Sequence, residues 1–149
     1  MLTPDALFSV CNSLALLAWL ALGVSLFVPK LRPTIWLATG VALPAVFAVA
    51  YLGSLIAGFA SGAEGGFGSI AQVRSLFAND HALTAGWIHY LAFDLIVGTL
   101  IARDAARSAT PAVFVLPALI LTFLFGPTGL LVHLVVRLAR GGRLQESLS

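Results

Sequence analysis

Charged residues are scarce in this sequence, in which only 9% of the 149 residues are Asp, Glu, Lys or Arg. A soluble domain has about a quarter of its residues charged and about half apolar. Here 60% of the residues are hydrophobic and the mean hydropathy is +1.02. This composition indicates an integral membrane protein surrounded by membrane lipids, and the length predicts a single transmembrane domain over residues 1–149. The net charge of +2 is too small to indicate a nucleic-acid partner.

Cysteine is almost absent, and its absence excludes several classes of site. Cys11 is the only cysteine, so one chain cannot form a disulfide, a CxxC pair or a cysteine-based metal site. The three histidines lack the spacing of metal ligands, and we predict neither a metal nor a cofactor. The N-terminus also lacks the basic segment and cleavage site of a secretory signal. The first apolar run is therefore predicted to be a retained membrane helix.

Four apolar runs are long enough to cross a bilayer as helices, which takes about 20 residues each. We predict these spans at about 6–28, 34–59, 81–102 and 111–136. The longer connector at 60–80 begins with glycines and continues with apolar residues at helical spacing. That pattern predicts a short amphipathic helix over about 67–79, lying in the membrane interface. The predicted fold is an all-α, four-helix membrane bundle with both termini on one side.

Positive charge does not set the orientation of such a bundle. The eight basic residues would divide equally between its two sides, with Lys30, Arg32, Arg103 and Arg107 on one side and Arg74, Arg137, Arg140 and Arg143 on the other. The last three form a short basic C-terminal tail. The first helix often dominates orientation, which favours the side of the first loop, PKLRP (29–33), as cytoplasmic.

The fourth run carries Gly126 and Pro127 in its middle. Proline removes a backbone donor and clashes with the preceding turn, so a kink or break is predicted there. A stripe of residues three or four apart accompanies this point: Thr122, Gly126, Gly129, His133 and Arg137. Small residues on a stripe let helices approach closely. The stripe is therefore either a packing seam or the lining of a ligand site.

Asp94 is the polar residue that most needs an explanation, since a charged Asp at the centre of a membrane helix costs about 3 kcal/mol. Trp87, Tyr90 and Gly98 share its helix face at 100° per residue, which favours a pocket inside the bundle. His89 points about 140° away from Asp94. Intramembrane acids are commonly functional, although an ion pair or hydrogen bond that joins helices would also explain Asp94.

Other polar residues have simpler explanations. Asn12 and Tyr51 could hydrogen-bond between helices for about 0.6–2 kcal/mol. His133 is predicted near the same membrane surface as His81. A final group is expected in a turn after the third span, either solvated or among lipid headgroups, namely Arg103, Asp104 and Arg107.

Three stretches of this sequence closely resemble the abscisic-acid-deficient-four-like family of small integral membrane proteins: GWIHYLAFDLIVG (86–98), RDAAR (103–107) and LPALILTFLFGPTGLLVHLVVR (116–137). Weaker similarity covers FSVCNSLALLAWLAL (8–22) and FGSIAQVRSLFAND (67–80). The plant member of that family is required to make neoxanthin from violaxanthin. Without a chloroplast-targeting extension, this chain resembles a bacterial relative, which implies the bacterial inner (cytoplasmic) membrane.

The resemblance implies a cofactor-independent carotenoid isomerase, because turning an epoxide into an allenic alcohol changes no oxidation state. An acid must protonate the epoxide oxygen, and a base must remove a proton from the neighbouring polyene carbon. Removal from water favours the protonated form of a carboxyl group, so Asp94 is the candidate acid. Tyr90 would share its proton or position the oxygen, and His89 or His133 would be the base. The candidate ligand-lining residues are Asn12, Tyr51, Trp87, Gly98, Thr122, Gly126, Pro127 and Gly129.

Three other functions are open on the sequence. The chain could be a non-enzymatic subunit that binds pigment or lipid, as a homo-oligomer or within a larger membrane complex. Haem ligation by histidines is disfavoured because His89 lies deeper than His81 and His133. A secondary transporter is disfavoured because four helices without an internal repeat are not typical of one.

Overall fold

The computed structural model describes residues 2–142 and is all-helical over that range. The α-helices are α1 (Pro4–Phe27), α2 (Arg32–Leu37), α3 (Leu43–Ala60), α4 (Ile70–Leu76), α5 (Asp80–Arg107), α6 (Ala112–Phe125) and α7 (Pro127–Ala139). A 3₁₀ turn at Pro29–Leu31 leads into α2, and a π turn at Ala38–Ala42 joins α2 to α3, so Pro29–Ala60 is one continuous helical segment. The predicted C-terminal tail, including Arg143, lies outside the described residues.

Within residues 2–142, three helical segments are long and apolar enough to cross a membrane: Pro4–Phe27, Pro29–Ala60 and Asp80–Arg107. Two of these segments begin at a residue whose side chain caps the helix. The Thr3 hydroxyl accepts a hydrogen bond from the Ala6 amide, and the Asn79 side chain accepts from the amides of His81 and Ala82. Both caps satisfy donors that a helix start leaves free. These segments agree with the first three predicted spans.

Helix α5 is the centre of the fold. Half of the residues in its most apolar stretch are buried, whereas only 28% of the corresponding residues in α1 are buried. It runs parallel to α1, since Trp87 contacts Asn12 and Gly98 contacts Trp19. It runs antiparallel to α3, since Ser54 bonds the His81 carbonyl whereas Thr39, before α3, bonds Thr99. We call the end where α1 and α5 begin the amino face and the end where they finish the carboxy face.

The fourth predicted span is instead a helical hairpin. The predicted break is present, because α6 ends at Phe125 and α7 begins at Pro127. Helix α7 does not continue across the bundle, since His133 contacts Asp104 near the carboxy end of α5. A Cβ on Gly129 would overlap the Thr122 hydroxyl and the Ala118 carbonyl, so the two helices pack closely. With 14 residues, α6 is about 21 Å long, shorter than the roughly 30 Å hydrocarbon core.

The hairpin changes the predicted placement of the C-terminal part of the chain. Because α7 returns to the carboxy face, its end lies opposite the start of α1, and the prediction of both termini on one side is wrong for the described residues. The short helix predicted over about 67–79 is present as α4, Ile70–Leu76. Its Leu76 points inward, at 1% exposure, whereas Ile70 at its start and Phe67 in the preceding connector are exposed.

The hairpin also removes the tie in positive charge. Within residues 2–142, Arg74 lies towards the amino face and the other basic residues towards the carboxy face: Lys30, Arg32, Arg103, Arg107, Arg137 and Arg140. Loops rich in Lys and Arg stay cytoplasmic. We therefore expect the carboxy face to be cytoplasmic and the loop before α4 to be on the opposite side.

Cysteine labelling in intact cells tests this orientation. In a Cys11→Ala background, a membrane-impermeant maleimide should label Glu64→Cys at the amino face without permeabilisation. The matched variant Leu31→Cys, at the carboxy face, should be labelled only after permeabilisation. The reverse pattern would show that the distribution of Lys and Arg does not set the topology.

Candidate functional site

Asp94 lies beside the tip of the α6–α7 hairpin, in the middle of α5. Its side chain is 9% exposed, and Oδ2 has no hydrogen-bond partner among residues 2–142. The nearest part of the hairpin is Gly126, where an added Cβ would lie 3.1 Å from Asp94 Oδ1 and 3.3 Å from Oδ2. Gly126 has φ +52° and ψ −106°, which a residue with a side chain rarely adopts. Glycine is therefore needed here for the turn and for the space that the carboxyl group occupies.

Tyr90 lies one turn before Asp94 and contacts the same hairpin tip. In an unbroken helix the Phe123 carbonyl would accept from the amide of residue 127, but Pro127 has no amide hydrogen. The Tyr90 hydroxyl donates to that carbonyl at 3.1 Å and also lies within reach of the Asp94 carboxyl group. Tyr90 thus satisfies the backbone acceptor freed by the break and fixes the tip over Asp94.

An aromatic strip leads from the amino face to this site. It consists of Phe8, Trp87 and Tyr90, with ring centroids 5.6 Å apart for the first pair and 5.4 Å for the second. The Trp87 ring nitrogen donates to Asn12 at 3.1 Å. Phe8 and Trp87 are each 41% exposed, because the hairpin covers only the carboxy half of the α1–α5 surface. The strip is open to the hydrocarbon of the membrane.

An apolar groove continues on the carboxy side of Tyr90, between α1 and α6. Its volume is about 290 Å³, and its lining includes Trp19, Gly23, Leu119 and Phe123. The Trp19 and Phe123 rings lie 5.6 Å apart. The strip and the groove therefore meet at Tyr90, beside Asp94 Oδ2, which has no hydrogen-bond partner among residues 2–142.

Three candidate lining residues are packing positions in the structure. Gly98 lies against α1, where a Cβ would overlap the Trp19 ring. Thr122 is fully buried, donates to the Ala118 carbonyl and contacts Gly129 across the hairpin. Of the predicted stripe, Gly126 is the residue that the structure places against Asp94. Pro127 is next to it at the exposed tip.

The candidate histidine bases are not beside Asp94. His89 is exposed on another face of α5, with its ring 5.7 Å from Tyr51 and 4.5 Å from Phe93. His133, on α7, is buried against Asp104. Asp104 lies ten residues beyond Asp94 on α5, so His133 is far from the Asp94 carboxyl group. The structure thus groups Asp94 with Tyr90, Gly126 and Pro127 and separates both histidines and Tyr51 from them.

A buried ionic cluster near the carboxy face is the feature that the sequence analysis missed. Asp104 Oδ2 lies 2.7 Å from His133 Nε2 and 3.0 Å from Arg137 Nε. Asp104 is 1% exposed, so the expectation of a solvated residue in a turn is wrong; α5 continues through Arg107. The expectation that His133 and His81 share one surface is also wrong, because α7 turns back. The available signal was the one-turn spacing of His133 and Arg137, which places both on one helix face.

Arg103 is likewise not simply solvated. Its guanidinium lies 5.8 Å from the centre of the Trp36 ring, and that of Arg32 lies 5.9 Å from the same ring. Arg103 also donates to the Trp36 carbonyl at 3.4 Å. Cations over an indole ring are favourable, so these contacts tie the end of α5 to α2. They serve the packing of the carboxy face.

Comparison with known protein families identifies a model that matches most of the chain. A family model described as ABA4-like, ABA DEFICIENT 4-like, matches residues 6–133. The matched range includes Asp94, Tyr90 and the hairpin tip. No curated protein and no solved structure shows a significant match to the chain.

Proposed function

The chain belongs to the ABA DEFICIENT 4-like family, and from this membership and the surroundings of Asp94 we propose that it is a membrane isomerase acting on a carotenoid. The proposal includes the location predicted from the sequence, the cytoplasmic membrane of a bacterium. The observation that carries it is the buried Asp94 carboxyl group, whose Oδ2 has no hydrogen-bond partner among the described residues, where an aromatic strip meets an apolar groove. A pocket of apolar walls around one polar group suits an apolar ligand with one reacting oxygen.

The aromatic strip and the groove determine how the ligand lies. Asp94 is about 21 Å along the roughly 42 Å α5 helix, so a ring beside it sits near the middle of the membrane. A polyene about as long as the 30 Å hydrocarbon core then lies obliquely, with its far end among lipid chains. The protein would contact one end of the carotenoid and would not recognise the other end.

Asp94 alone can supply both proton transfers. One carboxyl oxygen donates its proton to the epoxide oxygen as the carbon–oxygen bond opens. The other oxygen accepts the proton from the adjacent polyene carbon, whose bonding electrons form the allene. The number of protons and electrons is unchanged, so the carboxyl group is regenerated without an oxidant or reductant. This assignment replaces the histidine base, since neither His89 nor His133 is beside Asp94.

Tyr90 is a positioning residue in this mechanism. Its hydroxyl donates its hydrogen to the Phe123 carbonyl, but the hydroxyl oxygen retains a lone pair and stays near the reacting carboxyl group. By fixing the hairpin tip, it keeps water from a carboxyl group that must remain protonated between turnovers.

The second candidate is a pigment-binding protein without catalytic activity, alone or as a subunit of a larger complex. The absence of a separate base beside Asp94 within the described residues favours it. In that case the strip and the groove hold the carotenoid, and Asp94 hydrogen-bonds its oxygen without transferring a proton.

Co-expression in hosts that make violaxanthin or another epoxy-carotenoid tests both candidates. The isomerase converts the epoxide to an allenic alcohol of the same mass, which separates chromatographically. The binding protein retains pigment on purification and leaves the composition of the host unchanged. If neither conversion nor co-purified pigment is found in any of these hosts, the carotenoid proposal fails.

A further inference from the structure

We propose that a second ligand site, for a single oxygenated six-membered ring, lies on the other side of α5 from Asp94. It is a cavity of about 190 Å³ between α3, α4 and α5 near the amino face. The walls include Leu55, Phe77 and Ala85, and two polar side chains, Tyr51 and His89, line the same space. This site is independent of the proposed isomerase activity.

The size of the cavity sets the size of the ligand. A cavity of about 150 Å³ lined by apolar side chains holds one benzene ring. The 190 Å³ here accommodates one six-membered ring with a few methyl substituents. Gly86 and Phe77 both line the cavity, and the absence of a side chain at Gly86 lets the Phe77 ring pack close to α5, with Cζ 3.0 Å from an added Cβ.

The two polar groups set the chemistry of the ligand. The Tyr51 and His89 rings are 5.7 Å apart. Neither side chain forms a hydrogen bond among residues 2–142, although both can donate and accept. In a membrane, unsatisfied polar groups are unfavourable. A hydroxyl or keto oxygen on a bound ring would satisfy them, whereas a hydrocarbon ring would not.

The amphipathic helix α4 provides the way in. Leu76 anchors it at 1% exposure, while Phe67, at the cavity mouth, is 75% exposed. A seven-residue helix held by few buried side chains can move aside more easily than a spanning helix. The ring therefore enters from the headgroup region beneath α4.

Photo-crosslinking in lipid nanodiscs with a diazirine derivative of isophorone, a trimethylated cyclohexenone, tests the site. We expect adducts between residues 67 and 89, and isophorone should compete with their formation. Trimethylcyclohexene, which lacks the oxygen, should compete about fivefold less well for each hydrogen bond that the oxygen makes. Leu55→Trp, which fills the cavity from its rim, should abolish the adducts. Tyr51→Phe combined with His89→Leu should remove the preference for the oxygenated ring.

Asp94→Asn is the matched control and should leave this labelling unchanged, which separates the second site from the first. Equal labelling of wild type and Leu55→Trp, or equal competition by isophorone and its hydrocarbon counterpart, would overturn the proposal. The first result would show that the probe reacts from the lipid without a site, and the second would show that Tyr51 and His89 do not select an oxygenated ring. Neither result bears on carotenoid conversion.

Discussion

Under the proposed isomerase mechanism, an Asp94→Asn variant is expected to convert the carotenoid at least about a hundredfold more slowly than the wild type while remaining folded. Positioned proton transfer contributes about 10² to 10⁴ to a rate, and an amide cannot transfer the proton. The amide nearly matches the carboxyl group in size, and Asp94 has no ion-pair partner among the described residues. Loss of the carboxyl group should therefore change the chemistry much more than the stability.

The measurement compares the initial rate of pigment conversion, normalised to folded protein, with the thermal unfolding of the same sample. Asp80→Asn is a matched control, since it makes the same substitution on the same helix at the exposed amino end. It should convert pigment at the wild-type rate. Conversion by Asp94→Asn at the wild-type rate, with reduced stability, would mean that the carboxyl group only holds the helices together.

Local features of the sequence predict the three long helices. Run length and hydropathy are properties of consecutive residues, and they identify Pro4–Phe27, Pro29–Ala60 and Asp80–Arg107. Helical periodicity is also local, and in the structure Asp94 and His89 do lie on different faces of α5. These statements need no knowledge of the rest of the fold.

The hairpin could not be predicted in the same way. An apolar run over 111–136 fits one kinked span and two antiparallel halves equally well, because both bury the same residues in lipid. Pro127 predicts a break but not the direction of the chain after it. The direction is set by Gly129 packing on Thr122 and by the pairing of α7 with Asp104. Both are contacts between helices, which only the fold brings together.

The arrangement of residues around Asp94 was also predicted incompletely, because it too depends on contacts between helices. Asp94 and Tyr90 are neighbours on one helix, and their association follows from spacing. The roles given to His89 and His133 required a particular arrangement of helices, and the structure separates both from Asp94. Asp104 was expected to be solvated because its partners lie about thirty residues later in the sequence, on a helix assumed to end at the other face.

An Asp104→Asn variant is expected to lose about 3–5 kcal/mol of stability, since removing one member of a buried ion pair leaves the other charge uncompensated. The residue left without a counter-charge is Arg137, which is 8% exposed. For a chain of this size the unfolding temperature should fall on the order of 10 °C. Asp5→Asn, the same change at an exposed residue in the first turn of α1, is the control and should shift it little.

A double-mutant cycle shows whether the charge pair itself is the cause. Arg137→Gln added to Asp104→Asn removes the buried charge along with its partner, so the double variant should be more stable than the sum of the single changes predicts. Additive losses would instead assign the effect to packing around Asp104.

Since the cluster joins the end of α7 to α5, its loss should also free the hairpin, and Gly126 would no longer be held against Asp94. Under the proposed mechanism, conversion of the carotenoid should then fall in Asp104→Asn although every group at the Asp94 carboxyl is intact, because the hairpin tip would no longer be held in place by the buried cluster.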